Sequence, residues 1–332
     1  ASQQLCEFAD SLNIPVANTF MAKGVIPFRH RCALGSAGLQ STDYVSCGFD
    51  KADVIICVGY DLVEYHPYLW HPDSDRTIIH IDHSPAEVDA HYPVAVDVTG
   101  DIKHSLERIA GLARPHEGKH IRPLRERLVE EMNQHRDDLE FPVKPQKIIW
   151  ELRTALNLED IVVCDVGAHK MWMARMFRCE YPNTCIISNG FASMGIAVPG
   201  AIAARLAEPD RRVVAVTGDA GFMMNSQEIE TAIRYGLDIV ILIWNDSSYG
   251  LIEWKQMNHY QRISNVRFDN PDFVKYAESF GANGYRVERT GDLPAILEAA
   301  LSNGGVSIID CPVDYRENVK LTEQLGTLIC PT

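Results

Sequence analysis

Two acidic residues, Asp219 and Asp246, each follow an apolar run that is typical of a buried β-strand. The runs are Val213–Thr217 and Ile239–Trp244, and residues 225–235 between them have the periodicity of a helix. A strand–helix–strand crossover in a parallel sheet is right-handed and brings both strand ends to one edge. The sequence therefore places two carboxylates together at the carboxyl edge, where such sheets bind ligands.

Paired carboxylates at such an edge suit a divalent cation. Mg²⁺ prefers an octahedron of hard oxygens and is usually held by one or two carboxylates together with ligand phosphates. Gly218, Ala220 and Gly221 are small enough for main-chain N–H groups to approach a diphosphate, and the helix that follows directs its positive end at the anion. Alternatively, Asp219 caps a helix and Asp246 lies in an ordinary turn, but the pair favours the metal site.

These residues resemble a known family. Gly218-Asp-Ala-Gly221 and the later Asn245-Asp246 are similar to the thiamine diphosphate motif, Gly-Asp-Gly followed after a helix by Asn or Asn-Asn. The Asp at the second position of the later pair resembles the catabolic, FAD-independent acetolactate synthases. The resemblance covers nearly the whole chain and corresponds to the C-terminal two-thirds of that family. It also rests on the segments Val163–His169, Ile187–Gly195, Phe273–Gly281, Ile309–Arg316, Ala52–Asp61 and Asp75–Asp82.

The resemblance implies a site for thiamine diphosphate and Mg²⁺. The metal ligands would be Asp219, Asp246 and the main-chain carbonyl of Ser248. Met194 would be the apolar wedge that bends the cofactor, and the Ala192 carbonyl would hold its 4′-amino group, which makes these two the expected catalytic residues. The remaining cofactor-binding residues would be Gly167, Ala168, His169, Ala220, Gly221, Tyr249, Gly250 and Leu251. Two alternatives stay open: His169 only starts a helix, and Met194 is a core residue.

The implied reaction is decarboxylation of pyruvate and carboligation to a second pyruvate, which gives 2-acetolactate for acetoin or branched-chain amino acid synthesis. The glutamate that protonates the cofactor in this family belongs to an N-terminal pyrimidine-binding domain, normally supplied by the neighbouring subunit of a homodimer or homotetramer. That domain is not in this sequence, so the chain alone is expected to be inactive. The alternatives are another thiamine-dependent 2-keto acid decarboxylase, pyruvate oxidase or carboligase, and a non-catalytic oligomerising relative.

Two positions depart from the biosynthetic branch of that family. Gly59-Tyr-Asp-Leu62 stands where that branch has a segment associated with FAD, so FAD is not expected. Lys255 stands where that branch favours Trp and where the catabolic relatives have Gln. The choice of acceptor between pyruvate and 2-ketobutyrate therefore stays open.

The composition describes an acidic globular protein, with 46% hydrophobic residues, 23% charged residues and a formal net charge of −14. That charge argues against nucleic acid as a partner, since phosphate binding needs a basic surface. No apolar stretch approaches the roughly 20 residues that cross a bilayer, so no membrane association is expected. Nine cysteines without a Cys-x-x-Cys pair predict buried free thiols and a cytoplasmic location.

The order of the elements predicts an α/β protein with two doubly wound parallel-sheet domains. A Rossmann-like middle domain is expected over residues 1–112, a linker over 113–147 and the thiamine diphosphate and Mg²⁺ domain over 148–332. The predicted strands are 14–18, 54–58, 77–81, 161–164, 185–188, 213–217, 239–244 and 306–311. The predicted helices are 3–12, 102–112, 195–207, 225–235 (capped by Asn225 or Ser226) and 271–279.

Overall fold

The computed structural model describes residues 1–38, 44–87, 89–118, 121–318 and 321. These residues form two compact units. Unit 1 contains 1–131, 180–182 and 321, and unit 2 contains 132–179 and 183–318 within their described parts. Every strand pair in both units is parallel, so the predicted α/β class with parallel sheets is confirmed.

Unit 1 contains two parallel sheets among its described residues. The strands are β1 (Val16–Asn18), β2 (Ala33–Ser36), β3 (Val54–Val58), β4 (Thr77–Asp82) and β5 (Val94–Thr99). The helices are α1 (Ser2–Leu12), α2 (Tyr44–Asp50), α3 (Ile102–Ala110) and α4 (Ile121–Met132), whose last residue belongs to unit 2. One sheet pairs β1 with β2, and the other has the order β3-β4-β5. Helices α1 and α3 pack on β4 through Phe8, Leu12 and Leu106, which meet Ile81.

Unit 2 is built on a six-stranded parallel sheet in the order β10-β11-β9-β8-β6-β7. The strands are β6 (Ile161–Cys164), β7 (Cys185–Ile187), β8 (Val213–Gly218), β9 (Ile239–Asn245), β10 (Asn283–Arg286) and β11 (Val306–Pro312). The helices are α5 (Pro145–Ala155), α6 (Ala168–Met176), α7 (Ala197–Ala207), α8 (Asp219–Met224), α9 (Glu228–Arg234), α10 (Gly250–Tyr260), α11 (Phe273–Ser279) and α12 (Leu293–Ser302). The chain leaves β6 first to β7 on one side and then to β8 on the other. This reversal creates a crevice at the carboxyl edge, next to β6.

The core of unit 2 lies on both faces of this sheet because its central strands are apolar throughout. On one face, alternate strand residues such as Val163, Ala215 and Ile241 pack with Ala201 of α7 and Phe273 of α11. The intervening residues of these strands, including Val162, Val214 and Val240, point to the opposite face and are also buried. Strands that are buried on both faces hold their carboxyl ends rigidly, as a binding site requires.

The predicted strands are found within one or two residues of their predicted ends. The predicted helix over 225–235 is wrong in detail, because two helices, α8 and α9, occupy this span and α8 starts at Asp219. Neither residue is the N-cap that was expected: Gln227 precedes α9, and Asn225 instead ends α8. The Asn225 side chain donates to the Gly195 carbonyl, and the Ser226 hydroxyl pairs with the Tyr276 hydroxyl. Tertiary contacts therefore take both side chains away from the helix end.

Seven cysteines of the described part are free thiols, as expected. The expectation is wrong for Cys47, which is disulfide-bonded. Pairing of this kind depends on where the fold brings the sulfur atoms, and the spacing of cysteines in the sequence does not reveal it. Among the described residues, no helix is both long and apolar enough to cross a membrane.

Candidate functional site

Three aspartates follow three neighbouring strands at the carboxyl edge of the unit 2 sheet. Asp165 follows β6, Asp219 follows β8 and Asp246 follows β9. Since β8 pairs with both β6 and β9, these ends are adjacent, and Gly218 is in register with Trp244. The fold therefore brings together the two acids that the sequence singled out and adds a third.

The Asp219 carboxylate reaches across to the loop that follows β9. One oxygen accepts the N–H of Ala220 at 2.8 Å, and the other accepts the N–H of Ser247 and the Asn270 amide, each at 2.6 Å. Burial raises the pKa of Asp219, and these hydrogen bonds act in the opposite direction. They fix the orientation of the carboxylate and the position of the Asp246 loop beside it.

Asp246 lies in surroundings that disfavour its charged form. Burial, together with the charges of Asp219 and Glu253, raises its pKa to about 8. A Cβ on Gly250, at the start of α10, would lie only 2.7 Å from the Asp246 Oδ2. The first turn of a helix has N–H groups without intrahelical acceptors, and here it meets a crowded pair of acids. A divalent cation would relieve the repulsion between the two carboxylates.

The turn that carries Ser248 is held by an ion pair. The Ser248 hydroxyl donates to Glu253 at 2.8 Å, and Arg267 binds both oxygens of Glu253 at 2.9 and 3.1 Å. The hydrogen bond from Arg267 lowers the pKa of Glu253, so this carboxylate is ionised. The neighbouring Ser247 has a φ of 53°, which places this residue in the left-handed region. The main chain around Ser248 is thus fixed on both sides.

His169 fills the space behind two glycine turns. A Cβ on Gly167 would lie 2.7 Å from the His169 ring, and one on Gly218 would lie 3.4 Å from it. Burial lowers the pKa of His169 to about 4, so the imidazole is neutral at physiological pH. Its Nε2 is buried and lacks a hydrogen-bond partner in the described part of the chain. The two turns can therefore approach a ligand closely, with an uncharged ring beneath them.

Met194 lies in a turn between two residues with positive φ, Ala192 at 54° and Gly195 at 86°. The N–H of Gly195 donates to Asp165 at 2.8 Å, and its carbonyl accepts from Asn225 at 2.9 Å. Further back along the turn, the Lys170 ammonium donates to Asn189 at 2.8 Å. Met194 itself is partly exposed, so it is not a core residue.

These observations fit a diphosphate held through a divalent cation. The repelling pair of acids, the space kept free by Gly250 and the glycine turns over His169 are the features that such a group needs. Two of the expected phosphate donors are engaged within the protein. The N–H of Ala220 donates to Asp219, and that of Tyr249 donates to the Val266 carbonyl. The N–H groups of Gly250 and Leu251, in the first turn of α10, have no intrahelical acceptor.

Sequence reasoning missed several residues that support the site. Asp165 gave the same signal as Asp219 and Asp246, an acid directly after an apolar strand, and could have been found. Asn270, Asn225 and the Glu253–Arg267 pair gave no comparable signal. They reach the site from loops and helix ends that no periodic pattern predicts.

Comparison with known proteins agrees with the geometry. The family model described as "Thiamine pyrophosphate enzyme, C-terminal TPP binding domain" matches residues 165–311, and the model of the central domain matches residues 1–109. Similar curated proteins include the acetolactate synthase of Bacillus subtilis (strain 168), 37% identical over 96% of this chain and 58% of the relative. The catabolic acetolactate synthase of Raoultella terrigena is 37% identical over 83% of the chain and 50% of the relative.

A third relative, the acetolactate synthase isozyme 3 large subunit of Escherichia coli (strain K12), is 31% identical over 96% of the chain and 58% of the relative. The chain thus spans about half the length of the curated relatives it matches. The two family models together cover most of the chain, and the C-terminal model begins at Asp165 and includes Met194, Asp219, Asp246 and Ser248. This chain belongs to the thiamine pyrophosphate enzyme family.

Proposed function

We propose that the protein is an acetolactate synthase that uses thiamine diphosphate and Mg²⁺ to join two molecules of pyruvate. The observation that carries this proposal is the pair of carboxylates of Asp219 and Asp246, which lie at neighbouring strand ends beside the first turn of α10. The charge of Asp219 disfavours ionisation of Asp246. The similarity to acetolactate synthases over most of the chain supports the choice of reaction.

In this proposal Asp219 and Asp246 bind Mg²⁺ through carboxylate oxygens, with the Ser248 carbonyl as a further ligand. Gly250 and Leu251 donate main-chain N–H groups to the diphosphate, and the turns at Gly167–His169 and Gly218–Gly221 lie against it. When bound, the cofactor supplies a carbon nucleophile and an electron sink for decarboxylation. Met194 would pack against its rings, and the Ala192 carbonyl would accept a hydrogen bond from its 4′-amino group.

A neighbouring subunit is the proposed partner of this face. Large apolar side chains at the Met194 turn are exposed, including Phe191 at 97% and Met224, which lies beside Gly195, at 44%. Exposed apolar side chains grouped in this way are typical of interaction surfaces. A pyrimidine-binding domain docked here would exclude water from the reacting groups and complete the site in a homo-oligomer.

We also propose that the protein works without FAD. At the carboxyl ends of β4 and β5, four main-chain N–H groups that could hold a diphosphate are already bound by carboxylates. Asp82 accepts from His83 and Ser84, Asp97 accepts from Ala86, and Asp101 caps α3 by accepting from His104. An acidic edge of this kind repels a dinucleotide phosphate.

Binding of thiamine diphosphate, measured by calorimetry with and without Mg²⁺, tests the site. Wild-type protein should bind only with the cation, and Asp219→Asn and Asp246→Asn should each weaken binding at least about tenfold, by loss of a charged ligand. Asp160→Asn is the matched control, since Asp160, like Asp219, is buried, but it lies at the opposite end of β6. Cation-independent binding would contradict the proposed site.

Product analysis with pyruvate tests the reaction, using the chain together with the remaining part of the enzyme. Acetolactate is expected. Acetaldehyde or acetyl phosphate as the main product would replace the proposed reaction with that of a decarboxylase or an oxidase. The cofactor site would be unaffected by that outcome.

A further inference from the structure

We propose that Asp165 is a positioning residue that holds the Met194 turn in place for the thiamine rings and contributes little to anchoring the diphosphate. This inference rests on the proposed function, because it assumes that thiamine diphosphate binds at this edge. It assigns a role to a carboxylate that lies outside the proposed metal site.

Asp165 is completely buried, with 0% of its surface exposed. One carboxylate oxygen accepts the N–H of Val166 at 2.7 Å and the N–H of Gly195 at 2.8 Å. The other accepts the N–H of Ala197 and the hydroxyl of Thr217, each at 3.2 Å. A buried carboxylate is costly unless donors surround it, and this one collects its donors from three different segments of the chain.

Two of these donors follow Met194 in the chain. The N–H groups of Gly195 and Ala197 belong to the turn and to the first residue of α7, whose own N-cap residue, Ile196, provides no side-chain hydrogen bond. The negative charge of Asp165 therefore replaces a missing cap and interacts favourably with the helix dipole. Asp165 thus fixes the main chain on the C-terminal side of Met194.

Asn225 holds the same residue, Gly195, through its carbonyl. Its amide donates to the Gly195 carbonyl at 2.9 Å, so both polar groups of Gly195 are bound by side chains from elsewhere in the fold. A Cβ on Gly195 would lie 2.8 Å from the Asn225 amide nitrogen and 3.0 Å from the Met224 Cβ. Glycine is required at position 195 for two reasons: a φ of 86° is a conformation that other residues rarely adopt, and a Cβ would not fit in the space.

The two halves of the cofactor should therefore respond differently to a change at Asp165. Met194 would touch the rings, whereas the diphosphate would be held chiefly through Asp219, Asp246 and α10, none of which donates a hydrogen bond to Asp165 among the described contacts. Asp165 also accepts from Val166 and Thr217, which precede the turns at Gly167 and Gly218. Asn225, whose amide donates to Gly195, therefore separates the two halves of the cofactor most cleanly. Loosening the turn should weaken binding of the rings and spare the phosphate tail.

The experiment compares two probes in the presence of Mg²⁺, thiamine diphosphate and inorganic pyrophosphate, by calorimetry on the whole chain. Asp165→Asn preserves the side-chain volume, but its amide would oppose the N–H of Ala197. Asn225→Ala removes the second contact from a partly exposed position. Each variant should lose about tenfold in affinity for thiamine diphosphate, the effect of about one hydrogen bond to a charged or buried group. Pyrophosphate affinity should stay the same.

Asp160→Asn is the matched control. Asp160 is buried like Asp165 and accepts two main-chain N–H groups, from Asn157 at 2.7 Å and Arg212 at 3.2 Å, at the far end of the same strand. It should lower the melting temperature without changing the affinity for either probe. Equal losses for both probes in Asp165→Asn would show a merely structural role and overturn the inference.

The remaining outcomes are also decisive. If Asp165→Asn does not fold, Asn225→Ala decides, and an unchanged preference for thiamine diphosphate over pyrophosphate in that variant overturns the inference. Wild-type protein that binds neither probe would instead overturn the proposed function. Failure of the site and failure of the positioning role are thus distinguishable.

Discussion

At the scale of single residues, the main property of the site is a pair of adjacent carboxylates that resist being ionised together. Asp219 is surrounded by three hydrogen-bond donors, whereas Asp246 lies beside Asp219 and Glu253 and has its pKa raised to about 8. A site that repels its own charges in the absence of metal gains most when a cation arrives. In the proposed function, this repulsion gives the metal-free protein a preference for binding Mg²⁺.

This preference should be visible in the pH dependence of stability. Without metal, Asp246 of the folded protein stays protonated up to a pH of about 8. In the unfolded chain the same side chain loses its proton near its ordinary pKa of 3.8. The free energy of unfolding should therefore fall as pH rises through this window, by at most about 1.4 kcal/mol per pH unit. Urea unfolding in EDTA at several pH values, compared between wild type and Asp246→Asn, measures this.

The variant isolates the effect because all other groups titrate in both proteins. The difference in stability, variant minus wild type, should grow from pH 5 to pH 8 and become constant above it. Mg²⁺ at pH 8 should stabilise the wild type much more than the variant. A stability difference that does not change with pH would mean that the pKa of Asp246 is not raised in the folded protein. The repulsion between the two carboxylates would then be absent.

At the scale of elements, α10 decides how closely a ligand can approach the acids. Gly250→Ala should favour the helix itself, since alanine is the better helix former, but the new Cβ would lie 2.7 Å from the Asp246 Oδ2. The carboxylate would have to move, so we expect unchanged or slightly higher thermal stability with at least about tenfold weaker Mg²⁺-dependent binding of thiamine diphosphate.

Gly291→Ala is the control for this prediction, because its Cβ would meet nothing closer than Leu139 at 3.9 Å. It should leave binding unchanged. Equal binding by Gly250→Ala and wild type would show that the start of α10 does not face the ligand.

The elements also show what the sequence can and cannot predict. β3, β6, β8 and β9 are recognisable in the sequence as apolar runs. Asp219 directly follows β8 and Asp246 directly follows β9, so the sequence alone identifies both acids. The helices were harder to predict, because α6 and α10 carry buried polar residues or face a site instead of the core. His169 and Lys170 of α6 are both buried, which breaks the amphipathic pattern. Asn225 and Ser226 looked like caps because the sequence does not reveal their tertiary partners.

At the scale of the whole molecule, every residue of the proposed site belongs to unit 2. Asp165, Met194, Asp219, Asp246 and Gly250 all fall within it, as does Asn270. The proposal therefore assigns the residues that bind the cofactor in this chain to unit 2.

Hydrogen exchange with and without thiamine diphosphate and Mg²⁺ tests that assignment. A ligand that binds only the folded state raises the free energy of opening by about 2.7 kcal/mol when its concentration is about one hundred times its dissociation constant. Amides that exchange by local opening near the site, in residues 165–170, 192–197 and 246–251, should therefore slow markedly. Amides of β3 and β4 that exchange locally should keep their rates, which provides an internal control. Because global unfolding would slow all amides together, only locally exchanging ones are informative. Protection of β3 and β4 equal to that around Met194 would mean that cofactor binding involves unit 1 as well.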